Sequence, residues 1–167
     1  TVNVSDNENP VITCPATANI TTDADLCTSS ASIGMATATD NCSANVSGPV
    51  PSGPYAIGST VVTWTATDPS GNTVSCSQTV NVTDNENPVI TCPATANITT
   101  DAGQCTSSTS IGMATATDNC SATVSGPVPA GPYQIGSTIV TWTAFDAAGN
   151  SVTCTQTVIV SDGQIPV

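Results

Sequence analysis

The 167-residue chain carries twelve Asp or Glu and no Lys, Arg or His, a formal charge of −12. With no side-chain cation, its carboxylates must be solvated, accept hydrogen bonds or bind a metal, and internal salt bridges are excluded. The same balance excludes nucleic-acid binding and disfavours anionic membranes, and no apolar run approaches the ~20 residues of a membrane span.

In chain order, Thr1–Ser5 (TVNVS) reads as the end of a preceding strand, because TVNVT recurs at Thr79–Thr83. Asp6-Asn-Glu-Asn-Pro10 is an acidic linker. Strands follow at Val11–Cys14, Ala18–Thr22, Thr28–Met35, Ala44–Gly48, Thr60–Thr67 and Thr73–Val82, separated by Pro, Gly, Asn and Asp clusters. No segment has helical periodicity. In the fifth of these strands Val62, Trp64 and Ala66 point one way and Thr63, Thr65 and Thr67 the other. In the sixth, Val74, Cys76, Val80 and Val82 share the inward side. Many short strands, regular turns and one buried face predict an all-β, antiparallel, two-sheet sandwich.

At Asp84 the pattern starts again. Cys14, Cys27, Cys42 and Cys76 fall on Cys92, Cys105, Cys120 and Cys154 at one offset of 78 residues, and Asp6–Thr83 differs from Asp84–Ser161 at 15 positions. The expected organisation is therefore the end of one repeat (1–5), two full repeats (6–83 and 84–161) and the start of another (162–167) in an array that continues in both directions. Each repeat is small for a self-sufficient core, and the even cysteine count supplies disulfide staples.

The segments VTDNENPVITCP, ATDNC, IGSTVVTWTATDPSGNTVSC and QTVNV resemble the hyalin repeat family of extracellular immunoglobulin-like modules. The likeness spans nearly the whole 78-residue unit, twice, and is most specific at Trp-Thr-Ala-Thr-Asp-x-x-Gly-Asn. It implies tandem immunoglobulin-like β-sandwiches with an extracellular interaction role and no catalytic chemistry.

Four cysteines per repeat allow three connectivities. Cys14 lies four residues past Pro10 in the first strand and Cys76 four past Asn72 in the last. If those strands run side by side in parallel, the two sit at equal depth, which favours Cys14–Cys76 and Cys92–Cys154. That leaves Cys27–Cys42 and Cys105–Cys120, and requires the intervening segment to fold back. Without His or C-x-x-C, zinc is disfavoured, and disulfides place the protein outside the cytosol.

Alternating strand directions gather three acidic segments at one pole. In the first repeat they contribute Asp6, Glu8, Asp40, Asn41, Asp68 and Asn72, and in the second Asp84, Glu86, Asp118, Asn119, Asp146 and Asn150. Carboxylates and carbonyls together make the all-oxygen shell of Ca²⁺, and ligands on the linker would bridge domains. The DNENP segment also resembles the calcium-binding linker of cadherins. The bland alternative is turn chemistry, since Asp-Asn and Ser-Gly-Asn cap their own backbone. At the third linker Gly163 and Gln164 replace Asn85 and Glu86, which weakens a site there. Asp23, Asp25 and Asp101 read as solvated surface.

With no His or Lys to activate a nucleophile, the chain is not expected to be an enzyme. The Thr63, Thr65 and Thr67 row reads as exposed strand rather than an ice-binding face. Asn3, Asn19, Asn45, Asn81 and Asn97 stand in Asn-x-Ser/Thr sequons, so glycans are possible partners. Tyr55 and Tyr133 read as turn-packing groups. The sequence thus points to a secreted filament, stalk or matrix strand of repeated copies, stiffened by disulfides and Ca²⁺. A spacer within a ligand- or glycan-binding surface adhesin is the alternative.

Overall fold

The computed structural model describes residues 1–165, so Pro166 and Val167, at the end of the expected 162–167 segment, lie outside it. It is all-β, and the chain divides into two compact units, Thr1–Asn85 and Glu86–Val167. The first contains β1 (Val11–Thr13), β2 (Ala18–Thr21), β3 (Thr28–Ser29), β4 (Thr37–Thr39), β5 (Asn45–Val50), β6 (Tyr55–Ala56), β7 (Gly58–Thr67) and β8 (Thr73–Thr83).

A four-stranded sheet runs in the order β2-β8-β7-β5, opposed by the short pairs β1-β4 and β3-β6. β7 and β8 form the central antiparallel pair, in register from Gly58↔Val82 to Thr67↔Thr73. Their alternating β-branched residues explain it: Val62, Trp64, Ala66, Val80 and Val82 are buried, while the intervening threonines of β7 are only half-buried. Ala36 and Tyr55 join Val62, Trp64, Val80 and Val82 in one core, against which Ile12, Cys14, Ile20, Ile33, Val46 and Cys76 pack.

The inward face of β8 carries one polar residue, Gln78, only 2% exposed. Its carbonyl oxygen accepts from Trp64 Nε1 (3.0 Å), and its amide donates to the carbonyls of Ala16 (2.9 Å) and Ile33 (2.7 Å). A buried primary amide is tolerated when its hydrogen bonds are met, and here it ties two loops and the core indole together. This contact breaks the expected Thr28–Met35 strand. The Ile33 carbonyl is taken by Gln78 rather than a neighbouring strand, Gly34 follows at φ +85°, and Met35 is exposed. Only Thr28–Ser29 remains as strand, paired with β6.

Gly48 lies where β5 slips register against β7. At φ +120°, a Cβ there would stand 2.8 Å from the Thr63 carbonyl oxygen and 3.2 Å from the Trp64 ring, so the core indole requires glycine at this position.

Cys14, one residue past β1, is bonded to Cys76 in the middle of β8, which joins the two layers of the sandwich. The parallel neighbour of β8 is β2, not the first strand. The expected Cys27–Cys42 and Cys105–Cys120 bonds are not formed: Cys42 and Cys105 are free and exposed, whereas Cys27 and Cys120 are disulfide-bonded. The reason is position. Thr21 pairs with Thr83 and Thr22 N donates to the Thr83 carbonyl, which puts the loop ending in Cys27 where β8 finishes. Thr39 pairs with Val11, and the loop beginning at Asp40 reaches Asp68, which puts Cys42 where β8 begins. Eleven strand residues span roughly 33 Å, and a disulfide needs Cα atoms within about 7 Å.

The second unit repeats this plan in β9 (Val89–Thr91), β10 (Ala96–Thr99), β11 (Thr106–Ser107), β12 (Thr115–Thr117), β13 (Thr123–Val128), β14 (Tyr133–Gln134), β15 (Gly136–Phe145) and β16 (Ser151–Ser161). Cys92 is bonded to Cys154, and Gln156 bonds Trp142, Ala94 and Ile111 as Gln78 does its partners.

Candidate metal site

In the first unit three segments converge where β8 begins: the linker before β1, the loop after β4, and the β7–β8 turn. Asp6, Asp40 and Asp68 each bring a carboxylate oxygen to within 4.8 Å of the other two. The turn is the most densely hydrogen-bonded of the three. Asp68 N donates to the Asn72 carbonyl, while Asn72 N and Nδ2 donate to Asp68 Oδ1 (2.8 Å) and Oδ2 (2.7 Å). Asn72 Nδ2 also reaches the Asp6 carbonyl (3.3 Å), so one amide side chain fixes the turn against the linker. Burial alone would raise the Asp68 carboxyl, but hydrogen bonds from Asn72 and the backbone of Gly71 and Ser70 outweigh it and hold Asp68 below the ordinary carboxylate value.

The other two carboxylates are oriented and half satisfied. Asp6 Oδ1 accepts from Glu8 N (3.0 Å), and Asp40 Oδ2 accepts from Cys42 N (3.0 Å). Their second oxygens, Asp6 Oδ2 and Asp40 Oδ1, are buried without a hydrogen-bond partner. Two acceptor atoms shielded from water beside a third carboxylate, in a chain without Lys, Arg or His, are what a cation site requires and what a self-capped turn does not. The negative field is felt nearby. The thiol of Cys42 is pushed above its ordinary value, first by the adjacent Asp6 carboxylate, then by desolvation and the charges of Asp6, Asp40 and Asp68.

Asp84, Asp118 and Asp146 meet the same distance test. Asp118 Oδ2 accepts from Cys120 N (3.0 Å), leaving Asp118 Oδ1 buried without a partner. Asp146 accepts from Gly149 N, Asn150 N and Asn150 Nδ2 at 2.7–2.8 Å. Here too burial pushes the carboxyl up, and hydrogen bonds from Asn150, Gly149 and Ala148 pull it further down.

Of the twelve residues read as candidate ligands, six are therefore brought together as carboxylate triads. Asn72 and Asn150 serve as braces. Glu8 instead accepts from Asn41 Nδ2 (3.0 Å) at the surface. Glu86 and Asn119 are half-buried in the linker and loop flanking the second triad. The oxygens fit a hard, oxygen-seeking dication. Three carboxylates leave the remaining positions of a six- to eight-coordinate shell to carbonyls and water.

Outside the triads, Asp23 accepts from Ser30 N and Oγ, and Asp101 from Ser108 N and Oγ, so both cap their own loops. Tyr55 and Tyr133 are buried, with Gly53 and Gly131 against their rings. Asn81 Nδ2 donates to Asn19 Oδ1 (2.8 Å), so these two sequon side chains engage each other across β2 and β8.

The family model described as the HYR domain matches the chain twice, over residues 5–82 and 83–160. No curated protein is a significant match. Among solved structures the chain is similar to Drosophila N-cadherin EC1-4 (TM-score 0.48, 16% identity, covering 92% of this chain and 50% of that one). It is similar also to human protocadherin-24 EC1-2 (TM-score 0.42, 16% identity, covering 95% and 100%). The chain spans about half the length of the N-cadherin structure.

Proposed function

The chain belongs to the HYR domain family, which it contains as two tandem copies, and from that premise we propose that it is a structural segment of an extracellular repeat array, a filament, stalk or matrix strand, stiffened by Ca²⁺. Its partners are further copies of the same repeat, and it performs no catalysis. The Asp84 carboxylate stands on the segment between the two matched repeats and Asp6 at the equivalent place ahead of the first, so an ion held by each triad restrains that segment against two loops. Bound Ca²⁺ supplies the positive charge that the amino-acid composition withholds. The disulfides across each sandwich and the Gln78 and Gln156 ties carry load within the repeat.

The observation that carries this reading is the pair of carboxylate triads, 78 residues apart, with oxygens of Asp40 and Asp118 buried without a hydrogen-bond partner among the described residues. Thermal unfolding and small-angle scattering in millimolar Ca²⁺ and in chelator test it, with disulfides intact. Calcium is expected to raise the melting temperature and narrow the range of particle dimensions. Identical melting and scattering in the two buffers would reduce the triads to turns and the array to a flexible, disulfide-stapled tether.

A further inference from the structure

Each repeat has a cysteine at each end that its own fold cannot close. Cys27 stands where β8 finishes and Cys42 where β8 begins. In the second unit, Thr100 N donates to the Ser161 carbonyl and Asp101 N to the Thr106 carbonyl, which puts Cys105 where β16 finishes, while Cys120 adjoins Asp118 where β16 begins. The two ends of the pattern differ in state. Of the trailing-end pair, Cys27 is disulfide-bonded and Cys105 is free; of the leading-end pair, Cys120 is disulfide-bonded and Cys42 is free. Each type of position is thus built to carry a disulfide, and each appears once as an exposed thiol with no cysteine of its own repeat in reach.

We propose that Cys42 and Cys105 are covalent coupling points between copies: a leading-end Cys42 thiol joins a trailing-end Cys105 thiol of another copy, head to tail. The inference deepens the array reading by naming the bond that makes the array continuous. The chemistry is thiol–disulfide exchange with a small disulfide oxidant such as oxidised glutathione. Attack of the Cys42 thiolate on the oxidant gives a mixed disulfide and releases one reduced glutathione. Attack of Cys105 from the second copy on the protein sulfur then forms the Cys42–Cys105 bond and releases the other. Two thiols lose two protons and two electrons, and one glutathione disulfide becomes two glutathiones. A head-to-tail bond leaves a free Cys42 at one end and a free Cys105 at the other, so it propagates wherever the rotation between copies does not close a ring.

The test uses the whole chain with chelator present, so that a failure of the Ca²⁺ reading leaves it unaffected. Before oxidation, alkylation of the native chain should label Cys42 and Cys105 alone. After oxidation the chain should run as a ladder on non-reducing gels. Because the chain lacks Lys and Arg, an Asp-selective protease replaces trypsin, and the linked peptides should join Cys42 to Cys105. Cys42→Ser and Cys105→Ser should each remain monomeric alone, while an equimolar mixture of the two should give a disulfide-linked dimer. The double variant should stay monomeric under the same oxidant. A wild-type chain that stays monomeric under oxidant, a mixture that fails to dimerise, or peptides joining Cys42 to Cys42 or Cys105 to Cys105 would overturn the proposal.

Discussion

Replacing both buried core amides, Gln78→Leu and Gln156→Leu, gives each repeat the same lesion and lets its single tryptophan report it. Leucine fills nearly the same volume but satisfies none of the groups that glutamine holds: the Trp64 indole N–H and the carbonyls of Ala16 and Ile33, and their equivalents in the second repeat. Leaving a buried polar group unpaired costs about 1–3 kcal/mol. Three such groups at the lower part of that range, about 1–2 kcal/mol each, lose roughly 3–6 kcal/mol, against which the added apolar burial returns about 1–2 kcal/mol. The net loss is about 3 kcal/mol per repeat, a large share of the roughly 5–15 kcal/mol that holds a domain together. In a guanidinium titration followed by tryptophan fluorescence, the midpoint should fall by about 1 M. An unchanged midpoint would show that the three groups find water or new partners, and that the amide is not the tie described here.

Removing the inter-layer staple with Cys14→Ser and Cys76→Ser opens a loop of sequence separation 62, for which chain entropy gives a loss of about 4 kcal/mol; denaturant titration checks it, and a loss under about 1 kcal/mol would contradict it. Gly48→Ala places a methyl 2.8 Å from the Thr63 carbonyl at φ +120°, so the melting temperature should fall by several degrees, about 2 kcal/mol or more. Asp68 and Asp146 have folded carboxyl values held below their ordinary 3.8. The stability they add is therefore complete above that value and lost as pH falls through the folded one. In chelator, melting should be flat from pH 7 to about 5 and drop below about 4, and Asp68→Asn with Asp146→Asn should flatten the drop.

The central hairpin was legible because β7 and β8 obey period two over ten and eleven residues. Gln78 sat in that same period, between Cys76 and Val80 on the inward face, and only its polarity argued against burial. β4 and β6 left no comparable signal, at three and two residues. The run Thr28–Met35 has strand-like composition, but its hydrogen bonds are decided by a glutamine 45 residues away in sequence. The acidic cluster was half legible: alternating directions bring the three segments together, but a sequence cannot show that Glu8 turns to Asn41 while Asp6 and Asp40 keep a buried oxygen unpaired. The second cysteine pairing failed for a related reason, since residues close in sequence lie at opposite ends of an eleven-residue strand.

The most direct test of the array's stiffening is a calorimetric Ca²⁺ titration of the chelator-stripped chain beside Asp40→Asn, Asp118→Asn and their combination. Two ions per chain are predicted, with affinities on the order of the 10⁻⁴–10⁻³ M typical of extracellular sites. Each single variant should lose one ion and the double variant both. No binding to the unaltered chain, or full binding to the double variant, would contradict the assignment of the triads.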